Sequence, residues 1–220
     1  LDAPVCSGYQ HNDSFPGFHA LACGPLGYNG SKAAMELIAQ ADVVLALGTR
    51  LNPFSTLPGY GIDYWPQDAA IIQVDINADR IGLTKKVTVG ICGDAKLAAR
   101  RILERLSSNA GNHGREERKA LIHQTKSAWR QTLSSLDHEE DDPGTTWNAE
   151  SRERDADLMA PRQAWRAIQD GLPRDAIIST DIGNNSAIGN AYPTFEEGRK
   201  YLAPGLFGPC GCILYTPDAA

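Results

Sequence analysis

The sequence predicts an α/β fold with a doubly wound parallel sheet. Strand-like apolar runs alternate with helical patterns, and the runs at 41–50 and 70–75 lack the polar alternation of a half-exposed strand. Strands of this kind are typical of parallel sheets that helices cover on both faces. Such sheets bind ligands at the carboxyl ends of their strands, so we expect the functional residues in the turns that follow them.

The central strand is predicted at 41–50, between a helix and a glycine turn. Before it, Ala34, Leu37 and Ile38 fall on one helical face, and Ser31 stands where an N-cap is expected. The apolar run ends at Gly48-Thr49-Arg50. We therefore expect a buried strand whose glycine turn can lie close to a ligand.

The rest of the first domain follows the same rhythm. Residues 1–30 contain many prolines and glycines, so only one short strand is predicted there, near 3–6. A long loop with its own packing is predicted at 51–66, strands at 70–75 and 87–91, and an amphipathic helix at 115–136. Asp94 should cap a further helix with an apolar stripe formed by Ala95, Ala99, Ile102, Leu103 and Leu106.

The domain boundary is predicted at residues 137–157. Acids and arginines surround Pro143, Gly144 and a single Trp147 there, which is typical of a linker. We therefore divide the chain into a domain at 1–136, the linker, and a second, incomplete α/β domain at 158–220. That last part contains a helix from about 160 and a strand at 176–180, and its length buries too little surface to fold alone.

Composition narrows the class of partner and the compartment. The formal net charge is −6 and no basic run occurs, which argues against nucleic acid and membrane surfaces. No apolar run approaches the roughly 20 residues needed to span a bilayer. The five cysteines are odd in number and scattered, so we expect reduced thiols in the cytoplasm. Small molecules or other proteins are the expected partners.

Two glycine-rich turns in the second domain are the strongest candidates for a binding site. Asp181-Ile182-Gly183-Asn184-Asn185 follows the strand at 176–180, and residues 205–211 form a second glycine-rich loop. Such turns expose backbone N–H groups, and side-chain amides lie beside them in the first. The two turns together predict a shared phosphate site.

Three other features admit a functional and a structural interpretation. Gly48-Thr49-Arg50 and Asp75 could hold a nucleotide phosphate and ribose, but the three-glycine dinucleotide pattern is missing. A strand-end glycine followed by a solvated arginine explains the same residues. His11, Asp13 and His19 match no metal-ligand spacing, and Cys210 with Cys212 is a weak zinc or redox signal, so we interpret both groups as structural.

The sequence resembles a known enzyme family at these segments. Residues 41–50, 71–76 and 93–95 resemble the central domain of thiamine-diphosphate enzymes of the acetohydroxyacid synthase and pyruvate decarboxylase type. Residues 179–184 and 208–211 resemble the start of their cofactor-binding domain. The resemblance implies thiamine diphosphate and Mg²⁺ as cofactors. It implies contacts to the diphosphate from Asp181, Gly183, Asn184 and Asn185, and to the aminopyrimidine from Gly208, Pro209, Cys210 and Gly211.

Within the family, the sequence of the first hundred residues is similar to that of members that transfer an acetyl group to phosphate. The resemblance implies small-molecule substrates, sulfoacetaldehyde and phosphate, and a homo-oligomer. The family's magnesium segment and activating glutamate have no counterpart here, so we expect this chain alone to be inactive. An acetohydroxyacid synthase or 2-keto acid decarboxylase is the alternative within the family. A non-catalytic FAD- or ADP-binding module, or a poorly folding truncated product, stands outside it.

Overall fold

The structure is a computed structural model that describes residues 1–27, 29–107, 114–136, 161–181, 183, 188–189, 193–198 and 200–203. This part of the chain contains seven strands, four longer α-helices and two short 3₁₀ helices, Pro53–Ser55 and Ala78–Arg80. The helices are α1 (Lys32–Ile38), α2 (Ala95–Ser107), α3 (Arg115–Leu136) and α4 (Pro161–Gly171). The strands are β1 (Val5–Ser7), β2 (Ala22–Pro25), β3 (Val43–Leu47), β4 (Ala70–Asp75), β5 (Val89–Cys92), β6 (Ile178–Ser179) and β7 (Tyr201–Leu202).

All strand pairs are parallel, which confirms the predicted α/β class. The strands form three sheets with the orders β1-β2, β3-β4-β5 and β6-β7. In the central sheet, Val43 pairs with Ala70 and Ile72 pairs with Val89. The carboxyl ends of β3, β4 and β5 therefore meet at one edge, where the glycine and acidic turns lie.

Helix α1 supplies the centre of the core, and its start is set by the predicted cap. The Ser31 hydroxyl accepts a hydrogen bond from the Ala34 amide at 3.3 Å, which satisfies one N–H of the first turn. Ala34 and Met35 are fully buried. The surrounding cluster consists of Cys23, Leu26, Leu37, Ala46, Leu51, Tyr64, Trp65, Ile71 and Ile122.

The predicted burial of the central strand is wrong for one of its faces. Val43, Leu45 and Leu47 are 52%, 39% and 40% exposed, whereas Ala46 is 4% exposed. Among the described strands, β3 pairs only with β4, so it lies at the edge of its sheet. Alternate residues of a strand point to opposite faces, and the face of Ala46 alone packs into the core.

Other predictions from the sequence need correction. Strand β2 was not predicted, because Gly24 and Pro25 break its pattern, and β7 was also missed. The predicted strands at 87–91 and 176–180 are shorter, at β5 and β6. In α2, the cap is confirmed, since Asp94 Oδ1 accepts from the Leu97 amide at 2.8 Å. Leu103 of its stripe is 64% exposed, so the apolar stripe is only partly covered.

The loop at 51–66 does have its own packing, as the sequence predicts. Tyr64 is fully buried and its hydroxyl donates to the Ser55 carbonyl at 2.9 Å. Trp65 is 6% exposed, and Lys85 Nζ lies 5.0 Å above its ring. The predicted linker at 137–157 lies outside the described residues. No described helix is long and apolar enough to cross a membrane.

Candidate binding sites at the strand ends

The first candidate site is the turn after β6. Two backbone hydrogen bonds join β6 to β7. The Ile178 amide donates to the Lys200 carbonyl at 2.7 Å, and the Thr180 amide donates to the Leu202 carbonyl at 2.9 Å. Asp181 follows, partly buried, and Gly183 is exposed with a φ of +99°. This left-handed conformation favours glycine, because it has no Cβ. Of the predicted turn, the structure describes Asp181 and Gly183, and the left-handed glycine follows the strand as predicted.

Asp13, from the first loop, holds β7 in position beside this turn. Its Oδ2 accepts from the Lys200 amide at 2.9 Å and from the Tyr201 amide at 3.2 Å, and the residue is 7% exposed. Tyr201 in turn packs against Phe195 and lies 3.3 Å from Thr180 Oγ1 through its hydroxyl. A buried carboxylate that accepts two N–H bonds fixes the start of a strand. No local pattern in the sequence indicates this role.

A small cavity lies between the first loop and residues 193–194. Its volume is about 70 Å³, and Asn12 and Phe15 line it together with Pro193 and Thr194. Asn12 Nδ2 donates to the Pro193 carbonyl at 3.0 Å, while its buried Oδ1 has no hydrogen-bond partner. The Gly17 amide also donates to the Phe195 carbonyl at 2.7 Å. The first loop and the segment before β7 thus pack directly together.

The second candidate site is the edge formed by the carboxyl ends of β3 and β4. Gly48 has a φ of +63°, and the Arg50 side chain is exposed. Asp75 is 6% exposed, but its Oδ1 accepts from the Asn77 amide at 2.9 Å, so this carboxylate stabilises its own turn. The geometry of Asp75 therefore corresponds to the structural interpretation of this edge.

The side chain of Gln73 stabilises the same edge through three hydrogen bonds. Its Nε2 donates to the Thr49 carbonyl at 3.0 Å and the Arg80 carbonyl at 3.3 Å, and its Oε1 accepts from the Gly82 amide at 2.8 Å. At 1% exposure this amide is buried with its hydrogen bonds made. It joins the loop after β3 to the loop between β4 and β5. The signal in the sequence is a polar residue inside an apolar strand.

The remaining candidates from the sequence are the histidines of the first loop and the predicted cofactor contacts after Gly183. His19 Nδ1 accepts from the Leu21 amide at 3.1 Å, a contact that organises the loop. Within the described part of the chain, no group of three His, Cys, Asp or Glu side chains could hold a metal ion. The predicted contacts that lie outside the described residues are Asn184, Asn185, Gly208, Pro209, Cys210 and Gly211, together with Cys212.

Comparison with known proteins shows which family the first part of the chain is similar to. Residues 1–102 match the family described as thiamine pyrophosphate enzyme, central domain. The predicted resemblance to the central domain of this family is confirmed.

Within that family, the chain is similar to proteins named sulfoacetaldehyde acetyltransferase. It is 79% identical to a protein of Rhizobium meliloti (strain 1021) named a probable enzyme of this kind, over 96% of this chain and 36% of the relative. It is 75% identical to the one of Roseovarius nubinhibens, over 96% and 35%. A probable acetolactate synthase large subunit of Methanococcus aeolicus is 27% identical over 96% of this chain and 34% of the relative. The chain thus spans about a third of the length of these relatives.

Proposed function

We propose that this chain is part of an acetyltransferase that converts sulfoacetaldehyde and phosphate to acetyl phosphate and sulfite. The observation that carries the proposal is the 79% and 75% identity, over 96% of the chain, to relatives named for this activity. Identity to the acetolactate synthase is 27% over the same share of the chain. This difference favours the acetyltransferase over the alternative within the family.

We further propose that the turn after β6 receives the diphosphate of thiamine diphosphate. The described part of the turn fits this group. Gly183, whose φ is +99°, has no side chain to obstruct an approaching anion. The rest of the proposed contact set is Asp181, Asn184, Asn185, Gly208, Pro209, Cys210 and Gly211. The cofactor, when bound, supplies carbanion chemistry that protein side chains cannot. The contribution of these residues is to hold and orient it.

The proposal extends to features of the complete enzyme. Mg²⁺ would neutralise the charge of the diphosphate, and we assign no ligand for it to this chain. We propose domains at 1–136 and 158–220 with a linker at 137–157, a homo-oligomer, and a cytoplasmic location. The packing of α3 on α1 within the first unit supports the first of these boundaries.

A chimeric enzyme tests the activity. The segment of the Rhizobium meliloti relative that matches this chain is replaced by the chain itself, and acetyl phosphate and sulfite are measured with and without thiamine diphosphate. We expect activity within about tenfold of the parent, because a tenfold change corresponds to only ~1.4 kcal/mol. A folded chimera that releases no sulfite, or forms acetolactate from pyruvate instead, contradicts the proposal.

The same chimera tests the binding residue. Measured without Mg²⁺, Asp181→Asn should strengthen thiamine diphosphate binding by roughly tenfold, because the amide carries no like charge and can donate to a phosphate oxygen, which the carboxylate cannot. Asp175→Asn, in the exposed turn before β6, is the matched control and should leave the affinity unchanged. Equal affinities in both variants would remove Asp181 from the contact set. The 220-residue chain on its own should form no acetyl phosphate, since it spans about a third of the relatives.

A further inference from the structure

Two cysteine thiols meet between the first two strands, away from both candidate sites. In the β1–β2 pair, Val5 is opposite Ala22 and Cys6 is opposite Gly24, so Cys23 is an extra residue of β2 beside Cys6. The two thiols are close enough to shift each other's pKa. Cys23 belongs to the core cluster and Cys6 packs against the same cluster. A bulge thus brings the two thiols close together on neighbouring strands.

Most of the surface of the two cysteines is buried, and each sulfur makes a contact with a backbone carbonyl. Cys23 is 5% exposed and its Sγ lies 3.3 Å from the Leu21 carbonyl oxygen. Cys6 is partly buried and its Sγ lies 3.9 Å from the Ala34 carbonyl oxygen. These contacts restrict both side chains.

One positive charge approaches the pair from α3. Lys126 Nζ donates to the Ala20 carbonyl at 2.9 Å and to the His19 carbonyl at 3.4 Å, and burial lowers the pKa of this ammonium. The hydrogen bond from Cys6, and secondarily the charge of Lys126, lower the pKa of the Cys23 thiol against the opposing effect of burial. The hydrogen bond with Cys23 and burial raise the pKa of Cys6. The two thiols therefore differ, with Cys23 the more readily ionised.

We propose that Cys6 and Cys23 form an oxidisable dithiol, a modification site at which a hydroperoxide converts the two thiols to an internal disulfide. The Cys23 thiolate attacks one peroxide oxygen, the O–O bond breaks, and hydroxide leaves, which gives a sulfenic acid. The Cys6 thiol then attacks that sulfur, the S–S bond forms, and the hydroxyl group leaves as water with the Cys6 proton. The two thiols lose two electrons, and the peroxide gains them.

The exposure of the cysteines restricts the oxidant to a small molecule. Cys23 is only 5% exposed, so a bulky disulfide cannot reach it. The oxidant therefore has to be as small as hydrogen peroxide. Cys92 provides the contrast: it is exposed on β5 and its Sγ contacts the Ile76 carbonyl at 3.7 Å. We expect Cys92 to react readily with alkylating reagents without joining an internal disulfide.

Peptide mapping of the 220-residue chain tests the proposal. The folded chain is treated with hydrogen peroxide, remaining thiols are alkylated, and the chain is digested. No Lys or Arg precedes Lys32, so trypsin releases both cysteines in the peptide 1–32, which should be lighter by two hydrogen atoms and unalkylated. Chymotrypsin cuts at Tyr9 and Phe18 between them, and the resulting pieces should stay linked until a reductant is added.

Variants distinguish selective oxidation of Cys6 and Cys23 to a disulfide from unselective oxidation of cysteines. Cys6→Ser should abolish the linkage and leave Cys23 to oxidise further to the sulfinic acid, whereas Cys92→Ser should not affect the linkage. Lys126→Met should slow peroxide oxidation several-fold, and Lys119→Met, at an exposed position of the same helix, should not. If a variant does not fold, the wild-type chain in urea serves instead and should lose the selectivity for this pair. Alkylation of both thiols after peroxide treatment, or pairing of either with another cysteine, overturns the proposal.

Discussion

At the scale of single residues, Gly27 illustrates a requirement that sequence alone does not reveal. Its φ is +89°, and a Cβ at this position would lie 1.8 Å from the Phe54 carbonyl oxygen. Two effects therefore exclude other residues: the left-handed backbone and the closeness of another segment's main chain. Gly61 has a φ of +72° with nothing within 4 Å of such a Cβ, so it shows the first effect alone.

We predict that Gly27→Ala lowers the free energy of unfolding by roughly 3 kcal/mol or more, because a backbone atom must move. Gly61→Ala should cost about 1–2 kcal/mol, the strain of the left-handed conformation alone. Urea unfolding of the 220-residue chain measures both. Equal losses in the two variants would mean that the loop containing Phe54 yields without cost.

Tyr64 gives a prediction about alkaline stability. Burial raises the pKa of this phenol to about 12, from a usual value of 10.0. Because the folded pKa lies above the unfolded one, the stabilising contribution is complete below pH 10. It is lost as the pH rises toward 12, since the unfolded chain then binds fewer protons. At pH 12 the loss amounts to about 2 kcal/mol.

The measurement is the difference in unfolding free energy between the wild-type chain and Tyr64→Phe, followed from pH 9 to 12. We expect the wild type to be more stable at pH 9 by about 1 kcal/mol, through the bond to Ser55. The difference should disappear or reverse near pH 12. Tyr60→Phe, which changes a tyrosine that is 45% exposed, corrects for the general loss in alkali. A difference that is constant with pH would contradict the raised pKa.

At the scale of elements, β3 behaves as an edge strand with one buried face. Leu45 pairs with Ile72 and Ala46 pairs with Gln73 in the same parallel register. Ala46 and Ile71 belong to the core cluster, whereas Leu45 and Leu47 point to the other face and are about 40% exposed. Substitutions on the two faces should therefore have different costs.

We predict that Leu45→Gln costs less than about 1 kcal/mol in unfolding free energy, because little apolar area is removed from contact. Ile71→Ala, at a residue that is 3% exposed on the neighbouring strand, should cost about 2–5 kcal/mol. Both are measured by thermal or urea unfolding of the same chain. A large cost at Leu45 would indicate that something covers this face in solution.

At the scale of the whole molecule, the first loop and the last strands depend on each other. The Asp13 carboxylate accepts two amides of the β7 region across 187 and 188 positions of sequence. Arg174, which forms an ion pair with Glu196, also lies 5.1 Å from the ring of Phe18. The candidate turn after β6 is therefore positioned in part by residues at the opposite end of the chain.

We predict that Asp13→Ala accelerates hydrogen exchange of the Lys200 and Tyr201 amides by roughly tenfold or more, since one buried charge-assisted bond holds each. His11→Ala, at an exposed side chain two positions away, is the control and should leave this exchange unchanged. Protection that survives in Asp13→Ala would show that the β6–β7 pairing alone fixes these amides.

The outcome of the sequence predictions follows the distance over which each interaction acts. The caps at Ser31 and Asp94 were predicted correctly, because each is a bond to an amide three residues on. Strand β2 was missed because Gly24 and Pro25 belong to no strand pattern, although β1 pairs with it. Asp13 was interpreted as a polar loop residue, since no local pattern distinguishes a carboxylate that binds a distant strand. The predicted site residues remain predictions.

Sequence patterns predict the alternation of strands and helices, the parallel class and the resemblance to thiamine-diphosphate enzymes, because periodicity, capping and short motifs are local properties of the chain. The tertiary structure decided which face of β3 is buried, which backbone amides Asp13 and Gln73 bind, and that Cys6 meets Cys23. Those features depend on strand register and on a bulge. A shift of one residue in either would turn the side chains to the other face.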